Sequence, residues 1–241
     1  MCSSDLGVVL AARVNLDRNL CSEDAARRQG GRDYLAYCAD VAHALGAAMV
    51  GGPLFGNPLV FAARAPHSVS EDLRRSREAW AVEGLQAAAP LAAQAGIRFG
   101  VEPLNRFETD VLNTTRQGVD LVRQVGHPAV GLVLDTFHMN MEDDDIPGAI
   151  RAAGQHVFHF QANENHRGYL GTGHIDWTPV VRALSDIGYA GTISLEPFRR
   201  TDERVGIPFA QWKPPARDEQ AELTVACSFI KSLLELNGGR Q

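Results

Sequence analysis

The stretch AVGLVLDTFH, residues 129–138, gives the clearest indication of the fold. Its apolar residues run almost unbroken from Val130 to Leu134 and end at Asp135. A short apolar run of this kind is typical of a strand buried on both faces of a parallel sheet. In parallel βα barrels, the polar groups that carry out chemistry project from the carboxyl ends of the strands. The stretch therefore predicts a barrel strand with a functional side chain, Asp135, at its end.

The same pattern recurs in three other stretches, GVEPLN (100–105), FHFQANE (158–164) and ISLEPF (193–198). In each of the four, an apolar run ends in a side chain whose oxygen can bind a metal: Glu102, Asp135, Gln161 and Glu196. Successive members of this set are 33, 26 and 35 residues apart. Each separation is about one unit of a barrel whose eight βα units share about 250 residues. One acidic residue at a strand end is usually only a turn or cap residue, but four in phase favour a shared site.

Strand-like and helix-like segments alternate along the rest of the chain, which favours parallel βα units. The predicted strands are 8–16, 47–54, 97–104, 130–135, 157–161, 192–196 and a weaker one at 206–210. The predicted helices are 32–45, 70–95, 114–125, 146–153, 177–187 and 221–236. Neither a composition shift nor a linker interrupts them. We therefore predict an α/β fold of the TIM (β/α)8-barrel type in a single domain over residues 1–241.

Composition and charge exclude several classes of protein. The chain has 241 residues, of which 45% are hydrophobic and 22% charged, as in ordinary globular proteins. Its net charge is −6 and it has no basic block, which argues against nucleic-acid binding. Four scattered cysteines without C-x-x-C spacing predict reduced thiols in a cytoplasmic protein rather than a zinc site or disulfide framework. No apolar stretch reaches the roughly 18 residues of a membrane-spanning helix.

The four strand-end residues form a hard, oxygen-rich donor set of three carboxylates and one amide. Such a set suits Mn²⁺ or Mg²⁺ better than zinc. His138, three residues after Asp135, is placed to face the same pocket, although it could equally be a surface or capping histidine. Glu108, six residues after Glu102, has the same two interpretations, as a pocket residue or a solvated loop carboxylate.

The segment 163–177, NENHRGYLGTGHIDW, is a polar, glycine-rich loop of a length that barrels normally reserve for function. Its glycines permit close approach of the backbone. Arg167 supplies planar donors for ligand oxygens. A phosphate-binding loop is disfavoured because the Walker spacing is absent.

Together these stretches resemble the sugar isomerase/epimerase barrels, and most closely the ketose 3-epimerases that act on D-tagatose, D-psicose or L-ribulose. The similarity covers most of residues 32–198, and the loop 164–177 is its most specific part. It implies a divalent metal, usually Mn²⁺ with Mg²⁺ or Co²⁺ as alternatives, held by Glu102, Asp135, Gln161 and Glu196. Many members have histidine at the third ligand position, whereas a subset similar to the L-ribulose type has glutamine, as this chain does.

The resemblance also implies a mechanism. The enzyme would be an isomerase that epimerises a free ketose at C3 through a cis-enediolate. Glu102 and Glu196 would be the acid/base pair, working on opposite faces of C3. Glu108, His138 and Arg167 would hold the O1–O3 end of the substrate. By the same resemblance, the assembly typical of this family predicts a homodimer or homotetramer without nucleic-acid or membrane partners.

Other functions on the same scaffold stay open. Inosose dehydratases, which are lyases, and hydroxypyruvate isomerases have a comparable metal cluster, although the loop 164–177 favours the epimerases. Endonuclease-like relatives are disfavoured by the acidic net charge. A barrel that binds sugar or metal without turnover is the non-enzymatic alternative.

The first predicted strand, 8–16, best resembles the second strand of this family. We therefore expect the chain to be truncated at its N-terminus, to lack the first βα unit of the barrel, and to begin with a non-native segment, residues 1–6. All four predicted metal ligands lie after this region.

Overall fold

The computed structural model describes residues 7–56, 69–198 and 218–238. The chain divides into two compact units, one of residues 1–134 with 155–159 and the other of residues 135–154 with 160–241. The single domain predicted for 1–241 stays a prediction.

Parallel strands in chain order form the sheet of the first unit. They are β1 (Val9–Ala11), β2 (Met49–Gly52), β3 (Arg98–Val101), β4 (Val130–Asp135) without its last residue, and the first residues of β5 (Val157–Gln161). The register pairs Val50 with Phe99 and Gly100 with Gly131. Sequential parallel strands need crossover connections, and the intervening helices supply them.

Three helices of the first unit begin at side-chain caps. They are α1 (Ala25–Ala44), α2 (Glu71–Gln94) and α3 (Thr115–Val125). Asp24 accepts a hydrogen bond from the Ala26 N–H, so α1 begins seven residues before its predicted start at residue 32. Ser70 caps α2, and Thr114 forms a capping box with Gln117 at the start of α3.

The second unit contains the last residues of β5 and the remaining elements. They are α4 (Thr136–Glu142), α5 (Ile146–Ala153), α6 (Trp177–Asp186), β6 (Ile193–Ser194) and α7 (Glu219–Gly238). A single 3₁₀ turn, Gly154–His156, precedes β5. The end of β5 pairs in parallel with β6. Helix α4 was not predicted from the sequence, and the predicted strand 206–210 lies outside the described residues.

Apolar side chains of the strands and of the inner helix faces make the core of each unit. In the first unit Leu35, Leu85 and Phe99 are fully buried. In the second unit Ile150 and Phe160 are fully buried. The parallel strands and their helical connections confirm the predicted α/β class. Among the described residues, no helix has the length and apolar character needed to cross a membrane.

Candidate active site

Strand ends of the second unit carry three of the predicted site residues. Asp135 is the last residue of β4 and the N-cap of α4, where it accepts a hydrogen bond from the Phe137 N–H at 2.8 Å. Gln161 is the last residue of β5, and Glu196 lies two residues after β6. The sequence prediction of strand-end positions is confirmed for Asp135 and Gln161.

Asn163 joins Asp135 to Glu196. Its side-chain amide donates to Asp135 Oδ1 at 2.9 Å, and its side-chain oxygen accepts from the Glu196 N–H at 2.7 Å. The Thr136 hydroxyl donates to the Asn163 carbonyl at 2.6 Å and accepts from the Asn163 backbone N–H at 2.8 Å. Thr136 and Asn163 are both buried. Buried polar groups that are fully hydrogen-bonded hold a single geometry, so this network fixes two predicted ligands relative to each other.

The Arg167 guanidinium lies between the same two carboxylates. Nη1 pairs with Asp135 Oδ2, and Nη2 lies 3.2 Å from Glu196 Oε2. The guanidinium carbon also lies over the rings of Phe137 and Phe198, 4.4 Å from each centroid. Arg167 is the one non-glycine residue with positive φ in the described chain, at 59°. Such a conformation costs about 1–2 kcal/mol, so the surrounding contacts must hold it.

His138 belongs to this cluster as well. It is buried in α4, with Nε2 3.6 Å from Asp135 Oδ2 and 3.4 Å from Arg167 Nη2. Burial by itself would raise the pKa of Asp135, but the Arg167 charge, His138 and the hydrogen bond from Asn163 together hold that pKa below its usual range. The structure therefore keeps Asp135 as a carboxylate, the form that binds metal ions.

Gln161 has the feature expected of a metal ligand. Its Oε1 is buried and has no hydrogen-bond partner among the described residues. An unpaired buried carbonyl oxygen is unfavourable in a protein and calls for a partner. Together with the Asp135 carboxylate and the Glu196 carboxylate, it offers oxygen donors of the kind that Mg²⁺ and Mn²⁺ prefer. The residues present therefore fit a divalent cation.

The remaining predicted residues, Glu102 and Glu108, belong to the first unit. Glu102 follows β3 directly, is buried, and donates its N–H to the Gly52 carbonyl at 2.9 Å. Glu108 accepts from the Asn105 side-chain amide at 2.9 Å and lies 3.8 Å from Arg13 Nη1. Strand β3 therefore positions Glu102, and the hydrogen bond from Asn105 positions Glu108.

Sequence reasoning missed the residues that support the site. The sequence places Asn163 at the start of a polar loop and indicates no role for it in the site. Phe137 and Phe198 each come two residues after a predicted ligand, in DTF and EPF, and this shared spacing was a usable signal. No local pattern distinguishes Asn105 or Arg13.

Comparisons with known proteins agree with this geometry. The family model described as "Xylose isomerase-like TIM barrel" matches residues 3–226. A D-psicose 3-epimerase of Ruminiclostridium cellulolyticum is 34% identical over 242 residues, which cover 97% of this chain and 80% of that protein. A D-psicose 3-epimerase of Agrobacterium fabrum is 36% identical and covers 88% of this chain and 72% of that protein.

A solved structure of an L-ribulose 3-epimerase superposes with a TM-score of 0.87. It is 33% identical, and the match covers 97% of this chain and 76% of that chain. These similarities confirm the predicted barrel class and the resemblance drawn from the sequence.

Proposed function

The chain belongs to the xylose isomerase-like TIM-barrel family and, within it, to the ketose 3-epimerase group of isomerases, and on that premise we propose that it inverts a free ketose at C3. One observation carries the proposal. The Glu196 side chain is 43% exposed, whereas the neighbouring Asp135 side chain is fully buried. A partly exposed carboxylate can take up and release protons, and a buried, ionised one is suited to be a fixed ligand.

Glu102 and Glu196 form the proposed acid/base pair. One of them removes the proton from C3, which leaves the cis-enediolate of the sugar, and the other delivers a proton to the opposite face of C3. The substrate epimer decides which glutamate acts as the base. The partial exposure of Glu196 supports exchange of its proton with solvent between turnovers. A general acid or base contributes about 10²–10⁴-fold to the rate.

The proposed metal ligands are Glu102, Asp135, Gln161 and Glu196. A divalent cation held there supplies Lewis-acid polarisation of the C2 carbonyl, which makes the C3 proton more acidic. Support comes from the unpartnered buried oxygen of Gln161 and from the low pKa of Asp135. The oxygen-rich donors favour Mn²⁺ or Mg²⁺, and the proposal takes Mn²⁺.

Arg167, His138 and Glu108 are the proposed binding residues for the O1–O3 end of the ketose. Arg167 presents several planar donors at a fixed angle, which suits the oxygens of a sugar. His138 offers a ring nitrogen close to that guanidinium. Glu108 is an acceptor for a sugar hydroxyl, and its hydrogen bond from Asn105 keeps it in one position.

The test is incubation of the Mn²⁺-loaded protein with D-fructose, D-tagatose or L-ribulose in D₂O. We expect a new ketose with deuterium at C3, because the proton that returns has exchanged with solvent. Loss of water with a dione product would instead indicate a dehydratase. Interconversion of ketose and aldose would indicate a different isomerase, and sugar binding without any product an inactive barrel.

The proposal also covers the domain organisation, location and assembly of the enzyme. We propose a single domain over residues 1–241, a cytoplasmic location and a homodimer or homotetramer. The scattered cysteines support the cytoplasm. Size-exclusion chromatography with light scattering measures the assembly.

A further inference from the structure

Glu164 is a buried carboxyl group that the proposed chemistry does not use. It lies in the loop between β5 and α6, and it has no exposed surface. Its Oε1 accepts two hydrogen bonds, one from the Gly171 N–H and one from the Trp177 indole, each at 2.8 Å. A buried carboxyl group is costly unless its partners satisfy it, so its presence in this loop needs a reason.

The two donors lie at well-separated points of the loop. Gly171 is seven residues after Glu164 and adopts a φ of 83°, and Trp177 is the buried first residue of α6. One oxygen of Glu164 therefore ties the beginning of the loop to its middle and to its end. The loop is held in shape by this side chain in addition to its local turns.

The loop segment between Glu164 and its two donors contains Arg167. The Glu164 carbonyl accepts from the Arg167 N–H at 2.9 Å, and the Arg167 carbonyl accepts from the Phe198 N–H at 2.9 Å. These bonds hold Arg167 in its positive-φ conformation, with its guanidinium at Asp135 and Glu196. If the loop loosened, Arg167 would relax to an ordinary backbone conformation and its side chain would turn away from the carboxylates.

We infer that Glu164 is a positioning residue, which clamps the β5–α6 loop so that Arg167 presents its guanidinium to the substrate. This inference rests on the proposed function, because it gives Arg167 a sugar to bind. Glu164 itself touches no reacting atom in this assignment.

Gly173 provides an independent way to disturb the same group. A Cβ at position 173 would lie 2.2 Å from Glu164 Oε2 and 2.2 Å from Asn165 Oδ1. Gly173→Ala therefore displaces the carboxyl group while leaving its chemistry unchanged. If the clamp acts through geometry, this variant and Glu164→Ala have the same effect.

The experiment compares four substitutions with the full-length, Mn²⁺-loaded protein. Glu164→Gln keeps both the chain length and an acceptor oxygen, so we expect its KM for the ketose to stay within about threefold of the wild-type value. Glu164→Asp is too short to reach both donors. It and Glu164→Ala should raise KM by at least tenfold, with a smaller fall in kcat, because Arg167 binds substrate and transfers no proton. Gly173→Ala should do the same.

The matched control is Asp186→Asn on α6. It makes the same acid-to-amide change in a solvent-exposed pair with Arg151 and should leave KM unchanged. If Glu164→Ala does not fold, Trp177→Phe removes one donor without touching the buried carboxyl group, and a two- to fivefold rise in KM is expected. Unchanged KM in the folded variants, or no rescue by glutamine, would overturn the inference.

A readout without substrate separates this inference from the proposed function. The Phe198 amide is hydrogen-bonded to the Arg167 carbonyl, so its hydrogen exchange reports the conformation of Arg167. Glu164→Ala should accelerate that exchange at least tenfold, and Glu164→Gln should not. If no ketose is epimerised but this pattern holds, the proposed function is wrong and the clamp stands. If epimerisation is seen but Phe198 exchange is unchanged in Glu164→Ala, the clamp is wrong.

Discussion

Arg167→Lys tests the arrangement at the centre of the site, because it keeps the positive charge and removes the planar fork. The guanidinium is 4% exposed and contacts two rings and two carboxylates. Each ring contact is worth about 0.5–2 kcal/mol, and a hydrogen bond to a charged group about 1.5–3 kcal/mol. A lysine ammonium is a single compact charge and cannot contact both rings and both carboxylates at once. We expect the free energy of unfolding to fall by about 2–4 kcal/mol.

The assay is urea unfolding of the chelator-treated protein, monitored by circular dichroism. Arg167→Met provides the upper limit, because removing the charge leaves Asp135 buried without its cation, a loss of about 3–5 kcal/mol. Arg151→Lys is the matched control in an exposed ion pair with Asp186 and should change stability by less than about 1 kcal/mol.

Two outcomes would contradict the expected role of Arg167. Wild-type stability in Arg167→Lys would mean that neither the ring contacts nor the planar guanidinium contributes to the stability of the fold. Equal losses in Arg167→Lys and Arg167→Met would mean that the retained charge contributes nothing to the folded state.

The remaining predictions concern catalysis, pH and packing. Glu196→Gln should keep the fold, as judged by circular dichroism, and lose at least about 10²-fold in C3 epimerisation; normal turnover would remove it from the acid/base pair. Chelator-treated protein should be inactive and regain activity with Mn²⁺, whereas full activity without metal would contradict the proposed site. Burial lowers the pKa of His159 below 6.5, so stability should decrease as the pH falls through 6.5 toward that lowered value. Urea midpoints at several pH values should show this dependence, and His159→Gln should weaken it. Gly131→Ala brings a Cβ to 2.6 Å from the Phe158 ring and should destabilise by about 1–3 kcal/mol; an unchanged melting temperature would mean that the ring moves freely.

Arg167 shows how much of the candidate site could be predicted from the sequence. Its polar, glycine-rich loop predicted a donor for ligand oxygens, and the structure brings it together with His138, Asp135 and Glu196. Its contacts with the rings of Phe137 and Phe198 were not predicted. The loop pattern indicates which residue types are available but not which distant rings they will meet.

The alternation of strands and helices and the ends of β4 and β5 could be predicted from the sequence alone. Strands β4 and β5 match their predicted bounds, because a buried parallel strand is a short apolar run that stops at a polar residue. Helix α5 matches as well. By contrast, α4 was not predicted, because the residues after Asp135 were used only to place His138 beside the predicted ligand. It begins where Asp135 acts as its cap.

The hydrogen bonds that join those strand ends could not be predicted from the sequence. Asn163 bonds Asp135 and Glu196, which lie 28 and 33 residues away along the chain. Glu164 is buried because a glycine and a tryptophan donate to it across the loop. Local periodicity reports which face of an element is apolar, whereas these bonds depend on which loops meet after the strands have paired. A buried polar group needs a hydrogen-bond partner close to it in space, and the sequence pattern does not show which residues become neighbours in the fold.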